Sequence, residues 1–158
     1  IWDYVGEDVY GLELAYTFSP ATGFGGFFDR ILNTRFQIAG KLVGRYQESG
    51  SWIREADVYI ALRWRQLPWN HILATSFAIG DGLSYASRVP EVEIYTTERG
   101  GTSQLLNYLM FEATLALPSL PYLQLVGRIH HRSGMFGVFG EAVESGSNTV
   151  GLGIRWHM

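Results

Sequence analysis

The sequence predicts an all-β protein: a transmembrane, eight-stranded, antiparallel up-and-down β-barrel of the type found in the bacterial outer membrane. Three observations carry that expectation. Charged residues make up only 17% of the chain, and aromatic residues 15% with 19 glycines; ordinary soluble domains carry about 25% charge. Hydrophobicity alternates residue by residue in one segment after another, which is the period of a strand with two unlike faces. Several segments reach roughly 11–14 residues, beyond the ~5–6 of globular strands and close to a tilted bilayer crossing. No apolar run is long enough for a membrane helix. The whole length, 1–158, reads as one domain.

Each element follows from its own pattern. Residues 1–8 are a weak first strand, the eighth by count. Residues 9–18 alternate cleanly: Tyr10, Leu12, Leu14, Tyr16 and Phe18 oppose Val9, Gly11, Glu13, Ala15 and Thr17. The Gly-Phe-Gly-Gly-Phe-Phe run after Pro20 is turn chemistry with aromatic anchors, and 28–32 is expected to make one helical turn at a membrane surface. Residues 34–46 and 52–65 form a hairpin centred near Ser49, which sets Lys41 opposite Asp57. Residues 72–86 follow a short turn at Pro68, and Asp81 interrupts their apolar face. Residues 87–102 read as the longest loop. Residues 103–117 put Asn107 among Leu105, Leu109, Phe111 and Leu115. The last two strands are 123–133 and 148–158. With both termini on the periplasmic side, 47–51, 87–102 and 134–147 are the outer connections.

In this architecture the apolar faces look outward to lipid and the charged faces fill a plugged interior; a soluble barrel would reverse them. Composition excludes other classes. A net charge of -3 without a basic run speaks against nucleic acid. Without cysteine there is no disulfide framework and no thiolate metal site. No metal constellation stands out, calcium at the outer-loop carboxylates being the one metal left open, and no cofactor is expected. Beginning at Ile1, the chain is expected to be a processed or a truncated one.

The chemistry concentrates at the outer ends of the last two strands. His131 and Ser133 share the outward, apolar face of their strand at i, i+2 spacing. Antiparallel pairing brings Asn148 of the final strand beside them. A serine needs a base to take its proton, and the base needs a third group to hold its tautomer. Ser133 is thus the candidate nucleophile, His131 the base and Asn148 the orienting group, with Glu141 or Glu144 of the outer loop as alternative third members. Backbone N–H groups near Ser133 and Gly134, or the side chain of Asn107, are the candidate oxyanion donors. His130 and Arg132, of opposite parity, read as interior packing.

The His131-x-Ser133 motif near the end of the penultimate strand resembles the outer-membrane lipid A 3-O-deacylases. The final alternation Val150, Leu152, Ile154, Trp156, Met158 resembles the assembly signal of outer-membrane barrels, with Met where Phe is usual. The resemblance implies an eight-stranded barrel whose His-Ser-Glu triad opens onto the outer leaflet and removes an acyl chain from lipopolysaccharide. The family's acidic member falls here at Asn148, and the Asn that follows its serine is here Gly134. The alternative function is a non-catalytic barrel that binds envelope partners through the glycine-rich loop 134–147.

Overall fold

The computed structural model describes residues 7–21, 23–96, 101–134 and 146–157. Seven strands, β1 (Asp8–Thr17), β2 (Arg35–Tyr46), β3 (Trp52–Trp64), β4 (Ala74–Ala86), β5 (Leu105–Ala116), β6 (Leu123–Ser133) and β7 (Gly146–Trp156), form one antiparallel sheet. Its order is β1 to β7, each strand paired with its neighbour in sequence. The expected eighth strand falls largely on residues 1–6, outside the described residues; Asp8 already belongs to β1.

The sheet curls into a nearly closed barrel. Glu13 on β1 accepts hydrogen bonds from Arg128 on β6 and, at 3.2 Å, from Arg155 on β7, so the first and last strands face each other across the interior. The register is the one the hairpin patterns require. Tyr46 pairs with Trp52 and Lys41 with Asp57. At the turn between them Gly50 has φ 81°, where a glycine carries no steric cost, and its N–H closes on the Gln47 carbonyl at 2.9 Å.

The two faces are inverted relative to a soluble barrel. Arg45, Glu55, Asp57, Arg63, Glu112, His130 and Arg132 are buried inside, whereas Leu12, Ile38, Leu42, Val58, Ile60, Leu125 and Leu152 are exposed outside. The interior is held by paired charges. Glu112 accepts from Arg63 at 2.5 Å, from Arg155 at 2.5 Å and from Arg128 Nε at 2.9 Å. Glu13 also accepts the Tyr59 hydroxyl at 2.5 Å. Above this lies a small aromatic layer, with Tyr59 and Tyr108 rings 5.0 Å apart and the His130 ring 4.7 Å from Tyr108. Gly82 passes so close to the Tyr59 backbone that a Cβ there would meet the Val58 carbonyl at 2.1 Å, so only glycine fits.

Two helices depart from the expectations. The single turn expected over 28–32 is a ten-residue helix, α1 (Gly23–Leu32). Phe24, Phe27, Phe28 and Ile31 recur at helical spacing, and Phe24 and Phe28 pack on Phe36 at 4.8 and 5.0 Å. The helix stops at Asn33, whose φ of 50° is left-handed and whose N–H reaches the Asp29 carbonyl at 3.1 Å. Within the loop expected over 87–102 stands a second short helix, α2 (Glu91–Thr96). Pro90 before it and two glutamates in its first turn are an ordinary helix start.

Glu112→Ala leaves three guanidinium groups around an empty place. Removing one partner of a buried ion pair costs about 3–5 kcal/mol, so the denaturant midpoint is expected to fall sharply. Arg35→Ala, which breaks a partly exposed pair with Asp29 at 3.5 Å, is expected to cost below about 1 kcal/mol. Equal midpoints for the two variants would refute the interior network as the stabilising element.

Candidate active site

The strand register gathers polar groups on an otherwise apolar outward face. His131 pairs with Asn148 across β6 and β7, and with Leu109 across β5 and β6. Ser133 pairs with Asn107, and Leu109 with Asp81 of β4. Five polar residues, Asp81, Asn107, His131, Ser133 and Asn148, therefore occupy two adjacent rows near the 87–102 end of the barrel. Around them stand Ile60, Ile79, Leu83, Leu105 and Ile129, all exposed.

His131 Nδ1 lies 2.7 Å from Asn148 Oδ1. An amide oxygen only accepts, so Nδ1 carries the proton and Nε2 presents a lone pair. That is the tautomer a general base needs. Ser133 stands two residues along the same face, with Cα atoms about 6.6 Å apart at strand rise. Among the described residues no hydrogen bond joins its Oγ to the ring. Catalytic hydrogen bonds commonly tighten when substrate binds.

Asn107 is buried although it belongs to the outward face. Its Nδ2 donates to Asp81 Oδ1 at 2.9 Å and to the Gly82 carbonyl at 3.1 Å. Both acceptors lie on one side, so the amide turns its oxygen away from them. The NH2 that the sequence reading offers to an oxyanion is engaged. The remaining donors of that reading are the backbone N–H groups at Ser133 and Gly134, the latter buried directly beyond the strand. Glu141 and Glu144, and most of the 134–147 loop, lie outside the described residues. Asp81 was recognisable as a break in the apolar alternation, but its bond to Asn107, twenty-six residues on, carried no local signal.

Behind this face, His130 and Arg132 point inward, as their parity predicts. His130 Nε2 is 3.0 Å from Glu55, and its Nδ1 is 2.8 Å from Lys41 Nζ. Glu55, Asp57 and His130 place three ligand-type atoms within 4.8 Å of one another. A cation already faces each imidazole nitrogen, Lys41 at Nδ1 and Arg45 Nη2 at 3.3 Å from Nε2. The set thus carries its own cations, while Glu55 Oε1 and both Asp57 carboxylate oxygens have no hydrogen-bond partner among the described residues. Glu93 of α2 closes its outer end, accepting from Arg132 at 2.6 Å and from Ser147 at 3.0 Å. Burial pushes the Glu93 carboxyl above its ordinary pKa, with Arg132 pulling the other way. Glu7 at the rim is raised for the same reason and opposed by Arg45. Arg132 is thereby locked on the inside while its neighbours in sequence, His131 and Ser133, stand outside.

No protein family, no curated protein and no solved structure matches this chain. The chemistry of the site accordingly rests on its own geometry.

An amide orients an imidazole but does not stabilise its cation as a carboxylate does; the reverse change, Asp to Asn, costs a serine protease about 10⁴ in kcat. Asn148→Asp is therefore expected to accelerate labelling of Ser133 by a fluorophosphonate by about tenfold or more. Asn148→Leu, which leaves the ring free to turn, should slow it. Labelling rates measured against Ser133→Ala check both; identical rates in the three Asn148 forms would show that this contact orients nothing.

Proposed function

We propose that this protein is an outer-membrane barrel that hydrolyses an ester-linked acyl chain of lipopolysaccharide in the outer leaflet. The observation that carries the reading is the His131–Asn148 hydrogen bond at 2.7 Å on the outward, apolar face of the barrel. A base held in its reactive tautomer and aimed at lipid, beside a serine, suits a substrate that arrives sideways from a membrane. The inverted faces support the membrane part of the proposal. So do strands of 10–13 residues, close to a tilted bilayer crossing. Among the described residues no helix is long and apolar enough to cross, and a barrel needs none.

The mechanism follows from the groups present. Ser133 Oγ attacks the ester carbonyl carbon while His131 Nε2 takes the hydroxyl proton. The tetrahedral oxyanion is met by backbone N–H groups at Ser133 and Gly134. The C–O bond to the lipid breaks, and the imidazolium returns its proton to the departing alkoxide. Water, deprotonated by the same nitrogen, then cleaves the acyl-serine and releases a fatty acid. Asn148 keeps Nδ1–H engaged throughout. Because Asn148 bears no charge, the imidazolium is stabilised only by dipoles, and turnover is expected to be slow relative to a carboxylate triad.

Two measurements test the proposal. Ser133→Ala is expected to abolish release of fatty acid from purified lipopolysaccharide while the barrel still folds; undiminished release would end the mechanism. Val58→Arg, at the middle of β3 on the exposed face, is expected to destabilise the protein by about 2–4 kcal/mol in phospholipid bilayers. A soluble barrel would tolerate arginine at so exposed a position, and an unchanged stability would remove the protein from the membrane.

A further inference from the structure

One side chain on the barrel's outer surface is accounted for neither by packing nor by the nucleophile and base. Asp81 is a carboxylate in the middle of a strand, on the apolar outward face. Among the described strands the other outward-facing acidic and basic residues, Asp8 and Arg54, sit at strand ends. The immediate neighbours of Asp81 on that face are Ile60 on β3, Ile79 and Leu83 on β4, and Leu109 on β5. A charge among four aliphatic side chains lowers stability wherever that surface is covered by lipid. Its Oδ1 is held by Asn107 at 2.9 Å. Among the described residues Oδ2 has no hydrogen-bond partner.

Asn107 extends the same arrangement. Its NH2 is committed to Asp81 and Gly82, and Ser133 is its register partner on β6. The band from Asp81 to Asn148 crosses four strands, about 14 Å at ordinary strand spacing. One half, Ser133, His131 and Asn148, carries the chemistry. The other half presents the exposed carboxylate of Asp81.

We propose that Asp81, braced by Asn107, forms a headgroup subsite whose carboxylate accepts hydrogen bonds from neutral hydroxyl and amide N–H donors of an acylated sugar lipid, while its acyl chains lie on the surrounding aliphatic face. This rests on the lipid-facing reading of the outward surface given above. A carboxylate repels phosphate and attracts the donors of sugar hydroxyls and amide-linked acyl groups. Asp81 is then a positioning residue: it sets the lipid along the band so that an ester falls beside Ser133.

The test measures binding and not turnover, so that it stands apart from the hydrolysis. Purified protein carrying Ser133→Ala is titrated with lipopolysaccharide in detergent micelles, alone and with Asp81→Asn or Asp81→Leu added. Both additions are expected to raise Kd by about tenfold or more, the loss in affinity from removing a hydrogen bond to a charged group. Asp81→Leu is at the same time expected to melt at or above the temperature of its parent, since it removes a charge from the apolar face. A parent that binds no lipopolysaccharide, or an Asp81→Asn form that binds as tightly as the parent, overturns the subsite. Asp81→Asn decides the matter even where Asp81→Leu fails to fold. Should Ser133→Ala continue to release fatty acid while the Asp81 variants lose binding, the hydrolytic mechanism falls and the subsite remains.

Discussion

Three arginines from three strands, Arg63, Arg128 and Arg155, converge on the single carboxylate of Glu112. Two of them continue to Glu13 on the first strand. This is the constraint on which the rest of the structure depends. A sheet that buries charges must curl until each finds its partner, because an unpaired charge out of water costs several kcal/mol. The Arg–Glu contacts reach from β3 through β5, β6 and β7 back to β1, so satisfying them bends the sheet into a near cylinder. The apolar residues are then forced outward by the two-residue period of the strands.

The same period divides the chemistry. On β6, His130 and Arg132 go to the interior and His131 and Ser133 to the exterior. The interior pair is immobilised by Glu55, Lys41 and Glu93. Rigid backing of this kind is what the proposed reactive pair on the opposite face requires, since a strand pinned from behind holds its outward side chains at a constant level. The helix α2 contributes here without touching the outer face. Its Glu93 binds both Arg132 on β6 and Ser147 on β7, and so fastens together the ends of the two strands that carry His131 and Asn148.

Among the described residues, and apart from Asp8 and Arg54 at strand ends, the outward face gathers its charged and amide side chains in one region. Five polar residues lie in two adjacent rows among aliphatic neighbours, and two of the contacts among them are short hydrogen bonds. Polar groups on such a face are costly, and they are contiguous here rather than scattered. That contiguity, more than any one residue, is what connects the proposed hydrolysis to a lipid approaching from the side and links Asp81 to the serine and histidine.

Much of this was legible from residue order. Alternation at 9–18, 34–46, 52–65 and 123–133 marked the strands and assigned their faces, because side-chain direction in a strand depends only on the parity of position. The tight turn at Ser49 placed Lys41 against Asp57, because a short hairpin leaves one register available. Parity likewise brought His131 to Asn148, although a loop separates their strands. What the tertiary structure alone decided are the contacts between elements far apart in sequence: Arg155 with Glu13, Asn107 with Asp81, Glu93 with Arg132, and the full length of α1 against Phe36. None of these has a local signature. Each depends on how strongly the sheet curves and how its strands are staggered, and those quantities are set only when the interior Arg–Glu contacts close together.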